Sequence, residues 1–447
     1  MKSTLLLFAT LLVGLTTQAM PNAAVPATDT STPKYTFNST TGALTLNWGE
    51  FNRYDKWDYD VINTAVKSVT ATSEVSFTDD CSQLFYNFNH CESMDLSRVN
   101  TSGMISANRM FRDCSSLTTL DLSNWNTANV TDMYEMFRYC ESLTSLDLSG
   151  WNTSKVTDMG LMFDYCMNLT SLDLSGWDTG NVIDMYYMFN SCESLTSLDL
   201  SGWNTGKVNS MTQMFYGCKS LTSINLSGWN TSAVMTMGGM FSGCSSLTSL
   251  DLSGFNTGNV IDMGNMFNGC EKLTSLDLSG FNTVKLENMQ FMFSGCTGLT
   301  TLDISSWNTV NTWYMNDMFA NCSGLRTIYA GADWTTDKVY GEWGEGMFTN
   351  CTVLVGGMGT AFDENYTDKT YARIDGGPSN PGYFTDKNAS KRGDINGDGF
   401  VDVGDVTMLI SAALGGTTVS LSVGDLNGDS QLDVSDVTAL IAIVLNG

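Results

Sequence analysis

Histidine is almost absent from this chain: its 447 residues include one, His90. That removes most chemistry needing imidazole, such as histidine-based triads, zinc hydrolysis and haem ligation. Basic residues are scarce too, 21 against 47 acidic, and the formal charge of −26 leaves no basic patch for nucleic acid or an anionic membrane. Charged residues make up only 15% and hydrophobic ones 42%, so the chain is no disordered acidic tail and has material for a core. These shortages point away from catalysis and toward a binding protein that takes up cations.

The first nineteen residues, MKSTLLLFATLLVGLTTQA, place Lys2 before an apolar run from Leu5 to Leu15 and end on small residues. That pattern predicts a secretory signal peptide over 1–19, too short in its apolar run to span a bilayer. No cysteine follows the cut to carry a lipid, and no later segment is apolar enough to cross a membrane, so the expectation is an exported, soluble chain. Residues 20–72 read as a leader, rich in Ala, Thr, Pro and Ser up to Lys34, followed by an N-terminal cap.

The main signal is a repeat. Cysteines recur every 26 residues from Cys114 to Cys322, and one unit, from Leu143, reads LTSLDLSGWNTSKVTDMGLMFDYCMN. Leu143, Leu146 and Leu148 carry the spacing of a short strand with alternating faces. Val156, Met159, Met162, Phe163 and Cys166 recur at threes and fours, which predicts a short helix. Neither element buries its apolar face alone, whereas stacked copies bury both. The expectation is therefore an α/β repeat fold, a leucine-rich-repeat-like solenoid of one short parallel strand and one short helix per repeat, over 73–354. Residues 355–392 form a closing segment and linker.

Stacking turns each repeated position into a column. The aromatic column from Trp125 to Trp307 follows the strand where such repeats turn a side chain inward, so it reads as a buried spine rather than a sugar-stacking row. The methionines and phenylalanines beside it read as core. The cysteine column reads as buried thiols, since stacked neighbours have parallel Cβ vectors; Cys81 and Cys91, outside the array, are the pair left open to bridging. Asp121, Asp147, Asp173, Asp199, Asp251, Asp277 and Asp303 form an outward column broken by Asn225, flanked by Ser/Thr columns. Carboxylates stacked about 5 Å apart raise one another's pKa or recruit cations and hydroxyl donors. This column is either a solvated face tied by Asp–Ser/Thr hydrogen bonds or a recognition strip for a glycan or protein.

The unit LTSLDLSGWNTSKVTDMGLMFDYC resembles the 26-residue repeat of BspA-like bacterial surface leucine-rich-repeat proteins, over roughly Ser73 to Cys351. The resemblance implies a secreted or surface protein with adhesive or binding roles and no catalysis in the repeats. The first copy is three residues shorter before Cys114 and the last, ending at Cys351, three longer, which fits capping repeats.

From Gly393 the composition changes: eight aspartates face no Lys or Arg, and DINGDGFVDVGD and DLNGDSQLDVSD lie 31 residues apart. Oxygens at alternate positions followed by a final carboxylate suit one calcium per loop, as in an EF-hand. The first loop offers Asp394, Asn396, Asp398, the Phe400 carbonyl, Asp402 and, bidentate, Asp405; the second offers Asp425, Asn427, Asp429, the Gln431 carbonyl, Asp433 and Asp436. Ser430 stands where the first loop has the turn glycine Gly399, which predicts strain there. Each loop runs into a helix, VTMLISAAL or VTALIAIVL.

With Asp rather than Glu at the final position, residues 393–447 resemble a type I dockerin, a small all-α double EF-hand-like module. The resemblance implies two calcium ions and attachment to a cohesin. It also assigns partner choice to Val403-Gly404 and Val434-Ser435, which depart from the Ser-Thr pair of the best-known cellulosomal type. The competing readings are a component of a polysaccharide-degrading complex, a surface spacer, and a tail that is only a calcium staple.

Overall fold

The computed structural model describes residues 32–55, 65–387, 393–397 and 401–446; the proposed signal peptide, Asp398, Gly399 and Phe400 lie outside them. The chain winds into stacked coils with a short parallel strand on one side. Ala43–Leu46, Ser68–Ala71, Ser93–Asp95 and Thr119–Asp121 pair in parallel, bringing Leu44, Val69, Met94 and Leu120 into one row. The ladder continues through the Ser145–Ser171 bridge, the pair Ser197–Asp199 with Ser223–Asn225, and Thr301–Ile304 with Thr327–Ala330. A second ladder, on another side of the coil, joins Gly49–Phe51, Val75–Asp80 and Asn100–Ser106 and then runs as single bridges from Ser106 to Tyr314.

Each end carries a strand outside the 26-residue register. Tyr35–Asn38 turns back antiparallel on Ala43–Leu46, and Phe384–Asp386 adds a last parallel rung to Thr327–Ala330. Phe384 meets Trp334, Phe319 and Phe348 edge-on, sealing the final coil with aromatic rings.

The interior is built from columns, as the repeat implies. Trp125, Trp151, Trp177, Trp203 and Trp229 stack in succession at 6.2–6.4 Å with planes within 4°. Phe111, Phe137, Phe163, Phe189 and Phe215 stack beside them at 5.6 Å. The indole N–H of Trp203 donates to the Leu174 carbonyl at 3.3 Å, so the ring also satisfies a backbone group of the coil before it.

The segment expected to be a helix is not one. Around Met133–Cys140, the N–H groups of Glu135, Phe137 and Tyr139 donate to Gly160, Met162 and Asp164 of the next coil, while those of Met136, Arg138 and Cys140 close local turns. Every second N–H is thus taken by a neighbouring coil, which leaves no continuous i→i−4 ladder. Two residues per coil also take left-handed backbone angles, such as Glu135 at φ 54° and Tyr139 at φ 59°. Apolar spacing of three and four fits a turn ladder as well as a helix. The glycines at the second of these columns, Gly217, Gly243, Gly269 and Gly295, were the signal that separates the two.

All twelve cysteines are free and buried, including Cys81 and Cys91, the pair left open to bridging. Cys81 donates to the carbonyls of Phe51 and Thr78, and Cys91 to that of Ser93, so each sulfur has its own backbone acceptor. In the array, Cys166 donates to Phe137 O at 3.2 Å, and the same carbonyl accepts from Cys140 N; the thiol supplies its second hydrogen bond. Burial pushes Cys81 and Cys91 up to about 12, so the thiolate is absent well above neutral pH. We expect no thiol of the folded chain to react with a thiol-specific reagent between pH 7 and 9, and all twelve to react once it is denatured. Fewer than twelve after denaturation would reveal a bridge.

The tail holds the only α-helices among the described residues: α1 (Val403–Ala413), α2 (Leu421–Gly424) and α3 (Val434–Asn446). Ile395, Leu409, Val437 and Leu440 make its small core.

Candidate binding faces and calcium module

The aspartate column lies on the strand face and is exposed from Asp121 to Asp277, with Asp303 half-buried. Each member is tied within its own coil: Oδ1 of Asp147 accepts from the N–H and hydroxyl of Ser149, and Asp173 does the same with Ser175. Asp121, Asp199, Asp251 and Asp277 accept the N–H of the serine two residues on. These donors hold the carboxyls of Asp147, Asp173, Asp199, Asp251 and Asp277 below the ordinary aspartate range, so hydroxyl and N–H donors outweigh repulsion along the column. Burial pushes Asp303 up, but Lys387 and Ser305 bring its carboxyl below the ordinary range.

The column begins one coil earlier than the sequence reading placed it, at Asp95, whose carboxylate accepts from Ser97. Asp95, Asp121 and Asp147 line an open groove of about 520 Å³ together with Thr70, Thr119 and Ser145. The sequence reading also passed over a fully buried threonine column. Thr205 Oγ1 donates to Asn230 O at 3.0 Å and accepts from Asn230 N at 2.9 Å, and Thr127, Thr231 and Thr257 repeat the pair. Its signal in the sequence is that Thr recurs at this position without replacement by Ser in a chain rich in both. His90 is exposed whereas Cys91 is buried, so they form no nucleophile–base pair.

In the tail, each loop ends on a fully buried aspartate. Asp405 accepts from the N–H groups of Ile395 and Asn396 with one oxygen and from Asp402 with the other. Asp436 repeats this with Leu426, Asn427 and Asp433. Asp394 and Asp425 accept the N–H groups of Gly397 and Gly428, folding the loop start inward. Asp402 caps α1 through Gly404 N, and Asp433 binds Ser435 in the same way. Asp429 accepts from Gln431 N and Asn427 Nδ2.

Among the described residues no three carboxylate, thiol or imidazole groups converge on one point. The second loop's carboxylates bind loop N–H groups, while Asp398 and Phe400 of the first lie outside the description. The donor set nonetheless suits calcium: hard oxygens only, and two buried carboxylates in a segment with no Lys or Arg. Ser430 has φ 65°, the left-handed strain expected of a residue standing in for glycine. Ser430→Gly should relieve about 1 kcal/mol and tighten the second loop's calcium binding several-fold, read by calorimetric titration; weaker binding would contradict that.

The positions assigned to partner choice, Val403, Gly404, Val434 and Ser435, are all exposed at the starts of α1 and α3. Ile410 on α1, Leu414 just past its end, and Ile441 and Leu445 on α3 are exposed as well, the latter two 31 residues after the former two, the same offset as the loops. Leu409 and Leu440, by contrast, are buried in the tail's core.

Coil and tail together define a leucine-rich-repeat-like solenoid of stacked parallel strands carried with a dockerin-type module. Residues 51–168, 79–198, 144–250 and 235–360 match the family described as "Mycoplasma protein of unknown function, DUF285", and the chain belongs to that family. Residues 392–445 match the dockerin type I domain, whose members bind calcium and dock on cohesins. Similar solved structures include a leucine-rich repeat protein from Bacteroides ovatus ATCC 8483, at 15% identity, covering 74% of this chain and 91% of that one with a TM-score of 0.36. A leucine-rich repeat protein from Eubacterium ventriosum ATCC 27560 matches at 17% identity over 67% and 82%, with a TM-score of 0.36. A leucine rich cell surface protein from Faecalibacterium prausnitzii A2-165 matches at 18% over 62% and 94%, with a TM-score of 0.25. No curated protein matches. No catalytic family is among the matches, and no helix among the described residues is long and apolar enough to cross a membrane.

Proposed function

We propose that this chain is an exported, non-catalytic binding protein whose solenoid holds a glycan or protein ligand and whose tail, folded around two calcium ions, attaches it to a cohesin-bearing partner. The observation that carries the reading is the pairing in one chain of an extended, regular polar face with a dockerin. The signal-peptide pattern of residues 1–19 supports export. Calcium ligands in this reading are Asp394, Asn396, Asp398, the Phe400 carbonyl, Asp402 and Asp405, then Asp425, Asn427, Asp429, the Gln431 carbonyl, Asp433 and Asp436. Val403, Gly404, Val434 and Ser435 contact the cohesin, with the neighbouring exposed Ile and Leu side chains extending each contact. The aspartate strip offers regularly spaced acceptors for hydroxyl or amide groups.

The dockerin also favours a second reading, membership of an extracellular polysaccharide-degrading assembly, in which this chain supplies adhesion to the polymer. Incubation of the purified protein with plant and mucin glycans and with matrix proteins tests both. Retention without released sugar supports the binder, and released sugar contradicts a non-catalytic role. No retention by any of them leaves only a spacer.

A further inference from the structure

The solenoid keeps its tryptophans inside, with a marked exception at its C-terminal end. Among the described tryptophans only Trp313 and Trp343 are exposed, at 42% and 41%. Tyr314 and Tyr340 beside them are exposed at 37% and 64%. The four rings sit on adjoining coils: Trp313 lies 6.4 Å from Tyr340 and Tyr314 lies 4.8 Å from Trp343, between centroids.

This cluster breaks the repeat twice. The column that ends in Trp313 holds Ile261 and Glu287 in the two coils before it, and the column of Tyr314 holds Asp262 and Asn288. Tyr340 and Trp343 belong to the coil lengthened by three residues, where Gly341–Gly344 forms a 3-10 turn with Gly341 at φ 51°. The extra length thus builds a turn that holds rings outward, beyond what a cap requires.

From this juxtaposition we propose that Trp313, Tyr314, Tyr340 and Trp343 form a stacking platform for a neutral polysaccharide. A pyranose ring presents a face of C–H bonds to an aromatic face and hydroxyls at its edge, so its site needs exposed rings interleaved with polar groups. Both are present. Lys338 lies 5.4 Å over Trp313 and is held at 2.8 Å by Asn311 Oδ1, and Lys369 lies 5.9 Å over Tyr340. Glu287, whose backbone carbonyl accepts from the N–H groups of Trp313 and Tyr314, and Glu342, which precedes Trp343, are both exposed and offer carboxylates as acceptors in this region. A protein hot spot would instead deplete Lys and Glu at its centre. The chain's charge of −26 disfavours an acidic glycan.

The inference rests on the reading of the solenoid as a binding domain and gives it a place and a ligand class. Its test uses full-length protein with insoluble cellulose, xylan and mannan, and polygalacturonate as the acidic comparison. Retention on at least one neutral polymer is expected, with none on polygalacturonate, and chelation should leave it unchanged. The W313A/W343A variant should bind about tenfold more weakly with an unaltered melting curve. On the wild-type protein, the matching soluble oligosaccharide should shield tryptophan fluorescence from acrylamide. Full retention by the double variant, no shielding, or capture only of a protein ligand overturns the platform. If retention is instead lost in D121N/D147N/D173N and kept in W313A/W343A, the solenoid remains a binder and this site fails alone.

Discussion

Chelating calcium should unfold the tail and leave the solenoid standing. Among the described residues the tail's core has four buried members, Ile395, Leu409, Val437 and Leu440, few for a module of this size to fold on burial alone. Against that small core stand eight aspartates without a single Lys or Arg. Bound calcium at a thousandfold over its dissociation constant contributes about 4 kcal/mol, enough to decide whether such a module folds. The two parts can be watched separately. Among the described residues α-helix occurs only in the tail, and no Trp or Tyr lies beyond Tyr383. The far-ultraviolet helical band therefore reports the tail, and the near-ultraviolet aromatic band reports the coils. Chelator should abolish most of the first and leave the second unchanged. A helical band that survives chelation would remove the calcium assignment; an aromatic band that collapses with it would mean the solenoid depends on the metal.

Truncating one rung of the aromatic spine should be the most damaging single change in the solenoid. Trp203 is 2% exposed, stacks on Trp177 and Trp229 at 6.3 and 6.4 Å, and tilts against Phe189. Trp203→Ala removes contacts on both sides and the indole donor to Leu174, a loss of about 3–5 kcal/mol. Coils contact only their neighbours, so a central break should split the melting transition in two. Trp203→Phe should cost less than about 1.5 kcal/mol, because Phe255 and Phe281 already occupy this column in other coils. Calorimetry on both variants checks the pair of values. An alanine variant that melts with the wild type would show that the stack carries little of the stability.

How much of this was legible in the sequence depends on which physical signal each feature leaves. The 26-residue period located the coils, and Trp151's place three residues past Leu148, where such repeats turn a side chain inward, buried the column; alternation along the strand alone, with Leu146 and Leu148 inward, would have pointed it outward. The Met-x-x-Met-Phe-x-x-Cys segment was misjudged as a helix because its spacing specifies which side chains face inward and not where backbone N–H groups go. Those groups go to the next coil, a non-local choice that only the glycine column hints at. Thr205 was overlooked for a related reason: its hydroxyl pairs with the backbone of Asn230, a contact created by stacking. In the strip, like charges were expected to compete, but the serine two residues along supplies the donors that hold the carboxyls of Asp147, Asp173, Asp199, Asp251 and Asp277 below the ordinary range. In the tail, α1 and α3 were placed to within three residues of their observed starts, whereas the single turn of α2 was not foreseen; Asp402 caps α1. The exposure of Ile410 and Ile441 escaped sequence reading because an apolar residue does not announce whether its partner is another helix or another protein.

Attachment of the solenoid to its partner through a calcium-dependent module can be measured by titrating the full-length protein with a type I cohesin in a calorimeter. In calcium, saturable binding is expected, and it should disappear with chelator. Binding should be lost in a V403D/V434D variant whose helical and aromatic bands are both intact. Absence of binding to every cohesin tried, with the helical band fully formed in calcium, would contradict attachment and reduce the tail to a metal-bound cap.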